Sequence, residues 1–204
     1  NGGASNWANG FLPGQHQGVV FQGGDQPVRD LFPAKTITPA ADRDTRKLID
    51  YLNRKHLGKI GQDENLLSRI RSYELAARLQ TSIPEVSRYN DEPESIQKLY
   101  GIDQKKTADM GRRCLLGRRL LERGVRFVQV YSGGPIAGNP RASWDAHESV
   151  KDNHSLEAGR IDQPVAALLQ DLKQRDMLKD TLVMFTTEFG RTPFAQSAAN
   201  QVGP

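Results

Sequence analysis

Apolar residues recur at spacings of three and four through residues 41–123, and this spacing predicts helices with one apolar face. Gly58 and Gly61 separate the first predicted helix from the second, and Asp63 is the predicted N-cap of the second. A third helix is predicted from about Thr107 to Glu122. The three apolar stripes are Leu48, Ile49, Leu52 and His56; Leu66, Ile70, Tyr73 and Ala77; and Met110, Cys114, Gly117 and Leu121.

The regions that flank these helices lack helical periodicity. Residues 1–40 are rich in Gly, Pro and Asn and are predicted to be loops, apart from a possible small strand at residues 19–21. A polar connection with two prolines is predicted at residues 82–95. Gly124 is expected to end the third helix, because glycine commonly follows the last helical turn.

The hydrophobic period changes after Gly124. Residues 125–131 and 181–187 are short, β-branched and aromatic runs, and each is predicted to be a strand. Between them, Ile161, Val165, Leu168 and Leu172 share one helical face, and Pro164 either kinks this helix or begins it. A strand, a helix and a second strand in this order predict a right-handed βαβ unit with parallel strands.

The predicted fold class is therefore α/β, with a helical region before a βαβ unit. We expect residues 1–204 to be part of one domain, loop-rich at 1–40, helical at 41–123 and βαβ at 124–204. The chain begins at Asn1 without a methionine, and its last residues close no helix or strand. These ends predict an internal fragment of a longer protein.

Composition excludes several classes of protein. The net charge is only +4, and the basic pairs 105–106, 112–113 and 118–119 are predicted to form a solvated helix face. Nucleic acid is therefore not an expected partner. The single cysteine, Cys114, excludes an internal disulfide framework and is predicted to be a buried small hydrophobe. No apolar stretch approaches the length of a membrane span, and no signal region is visible in the chain.

Polar residues that could bind a metal follow both predicted strands. Asp145 and His147 lie in the loop after the first strand, and Glu188 directly follows the second. Ligands of open α/β sheets bind beyond the carboxyl ends of the strands, so these three side chains are expected to converge. Two carboxylates and an imidazole suit zinc, and the carboxylates also suit calcium, manganese or magnesium. The alternative that these residues bind no metal stays open, since Asp-x-His is a common sequence and a Glu after a strand often caps a turn.

Several stretches resemble a bacterial sulfatase-like family of unknown function within the alkaline-phosphatase superfamily. They are residues 10–13 with 16–18, residues 111–115 continuing through 124–129, and residues 188–193, together with Trp144-Asp145-x-His147. The resemblance covers most of the chain. It implies that residues 1–204 belong to an alkaline-phosphatase-like parallel-sheet sandwich.

The resemblance also implies roles for individual residues. Asp145 and His147 would bind one metal, and Glu188 would stand where the superfamily places a carboxylate of the second. Such an enzyme would hydrolyse a sulfate or phosphate ester, with a small anionic ester or a sulfated or phosphorylated glycan as substrate. Arg191 would bind the anionic oxygens or only pair with a neighbouring acid. Location in the periplasm or outside the cell is implied only by this resemblance.

The chain departs from the sulfatase pattern at several points. Glu188 replaces the usual Asp, Phe189 replaces Asn or His, and the family's nucleophile and Cys-x-Pro-x-Arg motif have no counterpart. An Asp-His ligand pair expected downstream would lie beyond Pro204. We therefore expect the isolated fragment to be inactive and to bind metal weakly. The alternative function is a non-catalytic binding or surface protein with the same fold and a degraded metal site.

Two other histidines are candidate substrate-binding residues. His154 lies near the start of the helix predicted between the two strands, where it faces the site, caps the helix or is exposed to solvent. His16 lies in a glycine-rich loop, where it either lines a substrate pocket or serves as a turn residue.

Overall fold

The protein is described by a computed structural model that covers residues 10–12, 16, 18–22, 28, 36–61, 63–133, 143–146, 149–187 and 190. The chain divides into two compact units, Asn1–Ser87 and Arg88–Pro204. Helices make up most of the described residues, and no β-strand occurs among them.

The first unit contains a helical hairpin. Helix α1 spans Pro39–Ile60 and helix α2 spans Glu64–Ser87. The Thr38 hydroxyl accepts a hydrogen bond from the Ala41 amide at 3.2 Å, which caps α1. The Asp63 carboxylate accepts one from the Leu66 amide at 3.1 Å, so the predicted N-cap of α2 is confirmed.

The second unit is built on two long helices that pack against each other. Helix α3 spans Glu94–Leu99, α4 spans Ala108–Glu122 and α5 spans Val150–Gln174. Short 3-10 turns lie at Tyr89–Asp91 and Leu178–Asp180. The apolar core between these elements contains Tyr100, Ile102, Cys114, Leu115 and Ala167.

Helix α4 ends as the sequence predicts. Gly124 has a φ of +81°, its amide donates to Leu121 O at 2.9 Å, and the Val125 amide donates to Leu120 O at 3.1 Å. These two bonds form a Schellman motif, which satisfies carbonyls at the end of the helix. The predicted burial of Cys114 is also confirmed, and burial raises the pKa of its thiol to about 12.

One helix prediction needs correction, and for Pro164 the alternative that it begins a helix is excluded. Helix α2 continues through Pro84 to Ser87, where the sequence predicted a polar connection. Pro164 lies well inside α5, where it is buried and removes one backbone donor from the helix. Within the described part of the chain, no helix is both long and apolar enough to cross a bilayer.

The predicted α/β fold class is wrong for the described residues. Residues 125–131 and 181–187 are not helical, but neither pairs with a neighbouring strand, so the βαβ unit and the parallel-sheet sandwich are absent from this part of the molecule. Residues 19–21 form no strand either. The sequence pattern reports the β propensity of single segments, whereas a strand also needs a partner backbone beside it.

The first of these segments packs on a helix instead. A Cβ placed on Gly117 of α4 would lie 3.6 Å from a methyl carbon of Val128 and 3.7 Å from one of Val130. These are ordinary van der Waals distances, so residues 128–130 cover α4 at its glycine. The segment after α5 remains exposed at Leu182, Met184 and Phe185.

The prediction of a solvated basic face is wrong for Arg118 and Arg119, which are buried. The Arg118 guanidinium lies 2.9 Å from Glu92, 2.7 Å from Glu122 and 3.0 Å from Asp171. Burial disfavours its charge, but the neighbouring carboxylates of Glu92 and Glu122 outweigh this and raise its pKa. These carboxylates join the 3-10 turn, α4 and α5 around one cation.

Candidate functional site

The candidate site lies where three parts of the second unit meet. We call it the Trp144 corner and define it as Ser132, Gly133, Trp144, Asp145 and His154. Ser132 and Gly133 follow the segment that packs on α4, Trp144 and Asp145 lie in the next described loop, and His154 lies in the first turns of α5.

Arg113 fixes the end of the segment that leads into the corner. Its Nη1 donates to the carbonyl oxygen of Tyr131 at 2.9 Å, and its Nη2 lies 2.7 Å from a carboxylate oxygen of Asp109. Both Arg113 and Asp109 belong to α4, so the helix holds the backbone immediately before Ser132 in place. Arg113 was predicted to lie on a solvated face, and the prediction did not include its contact with the Tyr131 carbonyl.

The indole of Trp144 contacts both Ser132 and Gly133. Its Nε1–H donates to the Ser132 hydroxyl at 3.1 Å. Gly133 has a φ of +108°, and a Cβ on it would lie 2.9 Å from Trp144 Cδ1. Only glycine combines that backbone conformation with so close an approach of the ring.

His154 completes the corner through the backbone of Trp144. Its Nε2 lies 2.9 Å from the Trp144 carbonyl oxygen, and the two ring centroids are 5.6 Å apart at a tilt of 52°. That carbonyl belongs to the peptide bond that joins Trp144 to Asp145. The imidazole therefore lies against the backbone of a predicted metal ligand.

The loop also orients the residues that flank Asp145. The Ser143 hydroxyl donates to the Asp145 carbonyl oxygen at 3.2 Å. Asp145 is exposed, whereas the next residue, Ala146, is fully buried. Ala146 thus fastens the loop to the interior beside an aspartate that remains accessible to solvent.

The predicted site residues divide into two groups. The imidazole of His154 is hydrogen-bonded to the carbonyl of Trp144, the residue before Asp145, and the N-cap position of α5 is Ser149, so His154 does not cap the helix. His16 is exposed and belongs to the first unit. His147, Glu188 and Arg191 lie outside the described residues, so their predicted roles stay predictions.

Among the described residues, no three His, Cys, Asp or Glu side chains converge on one point where a metal ion could sit. Asp145 and His154 fit a divalent cation by the chemistry of their atoms, since one offers carboxylate oxygens and the other an imidazole nitrogen.

Sequence reasoning missed the parts of the corner that hold these residues. Ser132 and Gly133 directly follow the predicted strand at residues 125–131 and have no predicted role in the site. The sequence offered one indication of this arrangement, the tryptophan directly before Asp145. An indole N–H that leaves solvent usually finds a hydrogen-bond acceptor nearby.

The second unit is therefore a helical unit that carries a candidate polar site, the Trp144 corner. The family described as "Protein of unknown function (DUF1501)" matches residues 1–201, and the chain belongs to this family. No curated protein matches the chain, and no solved structure matches it.

These comparisons overturn the resemblance stated from the sequence. The matching family carries no sulfatase or alkaline-phosphatase assignment, and the described residues contain no sheet. The sulfatase-like assignment is therefore wrong on both counts. The stretches that suggested it, such as residues 188–193, lie within the part of the chain that matches DUF1501.

Proposed function

We propose that the protein is a metal-dependent hydrolase of sulfate or phosphate esters, with Asp145, His147 and Glu188 as metal ligands. The observation that supports this function is the Trp144 corner, in which an imidazole is hydrogen-bonded to the carbonyl of the residue that precedes an exposed aspartate.

The ligand spacing supports a shared cation. The spacing Asp145-x-His147 is one that would place both side chains on the same side of an extended backbone, and the intervening Ala146 is buried. Glu188 would add a second carboxylate. Zinc, manganese or calcium would be the bound ion, since all three accept carboxylate oxygens.

The proposed chemistry follows from the charge of the substrate. A bound divalent cation would lower the pKa of a bound water and polarise the ester oxygens. Arg191 would bind the anionic oxygens through two parallel N–H donors. The substrate would be a small anionic ester or a sulfated or phosphorylated glycan. Export from the cytoplasm stays a prediction.

Metal content and turnover test this function together. The full-length protein and its Asp145→Asn and Glu188→Gln variants would be analysed for bound zinc, manganese and calcium, and assayed with aryl sulfates and aryl phosphates. Asp103→Asn is the matched control, because Asp103 is an exposed acid outside the corner. We expect loss of metal and of turnover in the first two variants only. Unchanged metal content in both would overturn the proposal.

A non-catalytic binding protein is the second candidate, and the exposed apolar side chains of the second unit favour it. Phe127, Leu182, Met184 and Phe185 are 77, 83, 73 and 72 % exposed. Phe185 also borders a groove of about 480 Å³ on α5, lined by Ile161, Val165 and Leu169 among others. Large exposed apolar groups commonly mark surfaces that bind a partner.

The second candidate makes a different prediction for the same assays. It requires the full-length protein to show no aryl ester turnover with any of the three metals. A Phe185→Asp variant would then lose partner binding while its helices remained folded, because Phe185 lies on the rim of the groove and outside the core. Ester turnover that depends on Asp145 would exclude this function as the main one.

A further inference from the structure

Helix α1 turns a polar side towards α2. Asp42, Arg46 and Asp50 are four residues apart, so they share one side of α1. The Arg46 guanidinium donates to the Ala77 carbonyl oxygen of α2 at 3.4 Å and to the Asp42 carboxylate at 2.6 Å. The side chains of Arg46 and Asp42 are only 35 and 29 % exposed. The neighbouring helix therefore lies on the side that a surface helix of a globular protein normally turns to water.

The apolar stripe of α1 is open to solvent instead. At 3.6 residues per turn, Leu48 and Leu52 lie on the side of the helix opposite Arg46. Leu48, Ile49, Tyr51 and Leu52 are 57, 50, 59 and 52 % exposed. Packing of an apolar face normally supplies most of the stability of a helix. Because this face is exposed, it is a candidate surface for a partner.

Basic side chains accompany the stripe. Helix α1 contains six Lys and Arg and three Asp, which leaves it with a net charge of +3. Lys47 and Arg54 lie beside Asp44 and Asp50, at 3.6 and 2.9 Å, and Arg46 pairs with Asp42. The excess charge therefore resides on three exposed residues, namely Arg43, Lys55 and Lys59. A face that is both apolar and basic complements a partner that is apolar and anionic.

The chemistry of this face favours a lipid surface over a protein partner. A second copy of α1 would bring two positively charged faces together, which like-charge repulsion opposes. The Lys55 ammonium lies 5.9 Å from the centre of the Tyr51 ring beside the stripe. Tyrosine and lysine combine an apolar body with a polar tip, and both are favoured where a membrane meets water. Anionic lipid headgroups above acyl chains match this order of groups better than a uniformly apolar protein groove does.

We propose that α1 binds peripherally to membranes that contain anionic lipids. Leu48, Ile49 and Leu52 would enter the boundary between headgroups and acyl chains, and the basic side chains would contact the lipid phosphates. The helix would lie in the plane of the membrane surface, with α2 on the side away from it. Because the stripe is short, binding would be reversible and would need both the apolar and the electrostatic contribution. This inference is independent of the proposed metal site.

Vesicle flotation of the full-length protein tests the inference. We expect binding to vesicles of phosphatidylcholine mixed with phosphatidylglycerol, and none to phosphatidylcholine alone. Binding should disappear in about 1 M sodium chloride, which screens exposed charges. The double variant Leu48→Glu, Leu52→Glu should lower the partition coefficient at least about tenfold, because two apolar side chains no longer leave water. Tyr73→Glu is the matched control, because Tyr73 is an apolar residue of α2 that is 74 % exposed.

Three results would overturn the membrane role of α1. They are the absence of binding to the anionic vesicles, equal binding by the double variant and the wild type, and equal losses in the double variant and the Tyr73→Glu control. Sedimentation velocity distinguishes a second copy as the partner. A dimer that the double variant dissociates would assign the stripe to self-association and would also overturn the proposal.

A fluorescence measurement covers the case in which the double variant does not fold. Leu48→Cys and Tyr73→Cys, each in a Cys114→Ala background, would be labelled with a dye that is sensitive to polarity. Anionic vesicles should shift the emission of the dye at position 48 to shorter wavelength and leave the dye at position 73 unchanged. An unshifted dye at position 48 would show that the stripe stays in water and would contradict the proposal.

Discussion

The Nε atom of Arg118 lies 3.0 Å from Oδ2 of Asp171, and both side chains are only 2 % exposed. The same carboxylate oxygen accepts a hydrogen bond from the Tyr100 hydroxyl at 3.0 Å, and Arg175 Nε donates to the other oxygen at 2.7 Å. Arg118 Nε and Nη2 approach their carboxylates without hydrogen-bond alignment, so those two contacts are mainly ionic. The pair ties α4 to α5.

Removal of Arg118 should strongly destabilise the second unit. Arg118→Met leaves Glu92, Glu122 and Asp171 with fewer positive partners in a buried position, and a broken buried ion pair typically costs about 3–5 kcal/mol. Urea unfolding followed by circular dichroism measures the loss. Arg126→Met, at an exposed arginine, is the control and should change stability by less than about 0.5 kcal/mol. A loss under about 1 kcal/mol at Arg118 would contradict a central role for this network.

Two glycines of α4 should respond to alanine in opposite ways. A Cβ on Gly111 would lie 2.3 Å from the backbone oxygen of Tyr100, so Gly111→Ala must displace backbone and should cost about 1–3 kcal/mol. A Cβ on Gly117 meets only methyl carbons at 3.6 and 3.7 Å. Gly117→Ala should therefore be neutral or stabilise by up to about 1 kcal/mol through helix propensity. Equal midpoints for the two variants in urea would show that the packing around Gly111 is looser than described.

Cys114 should resist thiol reagents until the protein unfolds. Burial raises the pKa of its thiol to about 12, and the thiolate is the reactive form. Because the folded pKa is raised, this group contributes its full stabilisation below about pH 9 and loses it as the pH rises towards 12. A disulfide reagent at pH 8 should react at the unfolding rate in the native state and immediately in denaturing urea.

The control for Cys114 is a cysteine on the surface of the same unit. Ser155→Cys in a Cys114→Ala background replaces an exposed residue of α5. It should react at once in the native state. Fast reaction of native Cys114 would mean that the core around it opens readily.

Gly133 should be required for metal binding even though it cannot bind metal. Gly133→Ala forces a Cβ to within 2.9 Å of the Trp144 ring at a φ of +108°, so the indole and the attached Asp145 must move. We expect zinc affinity to fall by about 10–100-fold, the range for loss of an outer-shell contact. Gly58→Ala is the control, because a Cβ there meets open space in α1. Zinc binding unaffected by Gly133→Ala would argue against the corner as the site.

The local structure of the helices was predictable from the sequence, because its signals are local. The Asp63 cap, the Gly124 stop and the buried Cys114 each follow from a residue and its neighbours within a turn or two. Helix α3 was missed because six residues are too few to show a period.

The long-range features were not predictable, because they depend on distant partners. Arg118 looked like a solvated charge, but its carboxylates come from Glu92 and Asp171, which lie far along the chain in either direction. The segments at 125–131 and 181–187 have the composition of strands, yet among the described residues no neighbouring backbone pairs with them. His154 was a candidate by position alone, and its contact with Trp144 became visible only in the fold.

The most direct test of the proposed metal site is anomalous diffraction from a crystal of the full-length protein grown with zinc. We predict an anomalous peak about 2.0–2.2 Å from carboxylate oxygens of both Asp145 and Glu188. A Glu188 carboxylate that lies far from Asp145 or points into the interior, with no peak at either residue, would contradict the account.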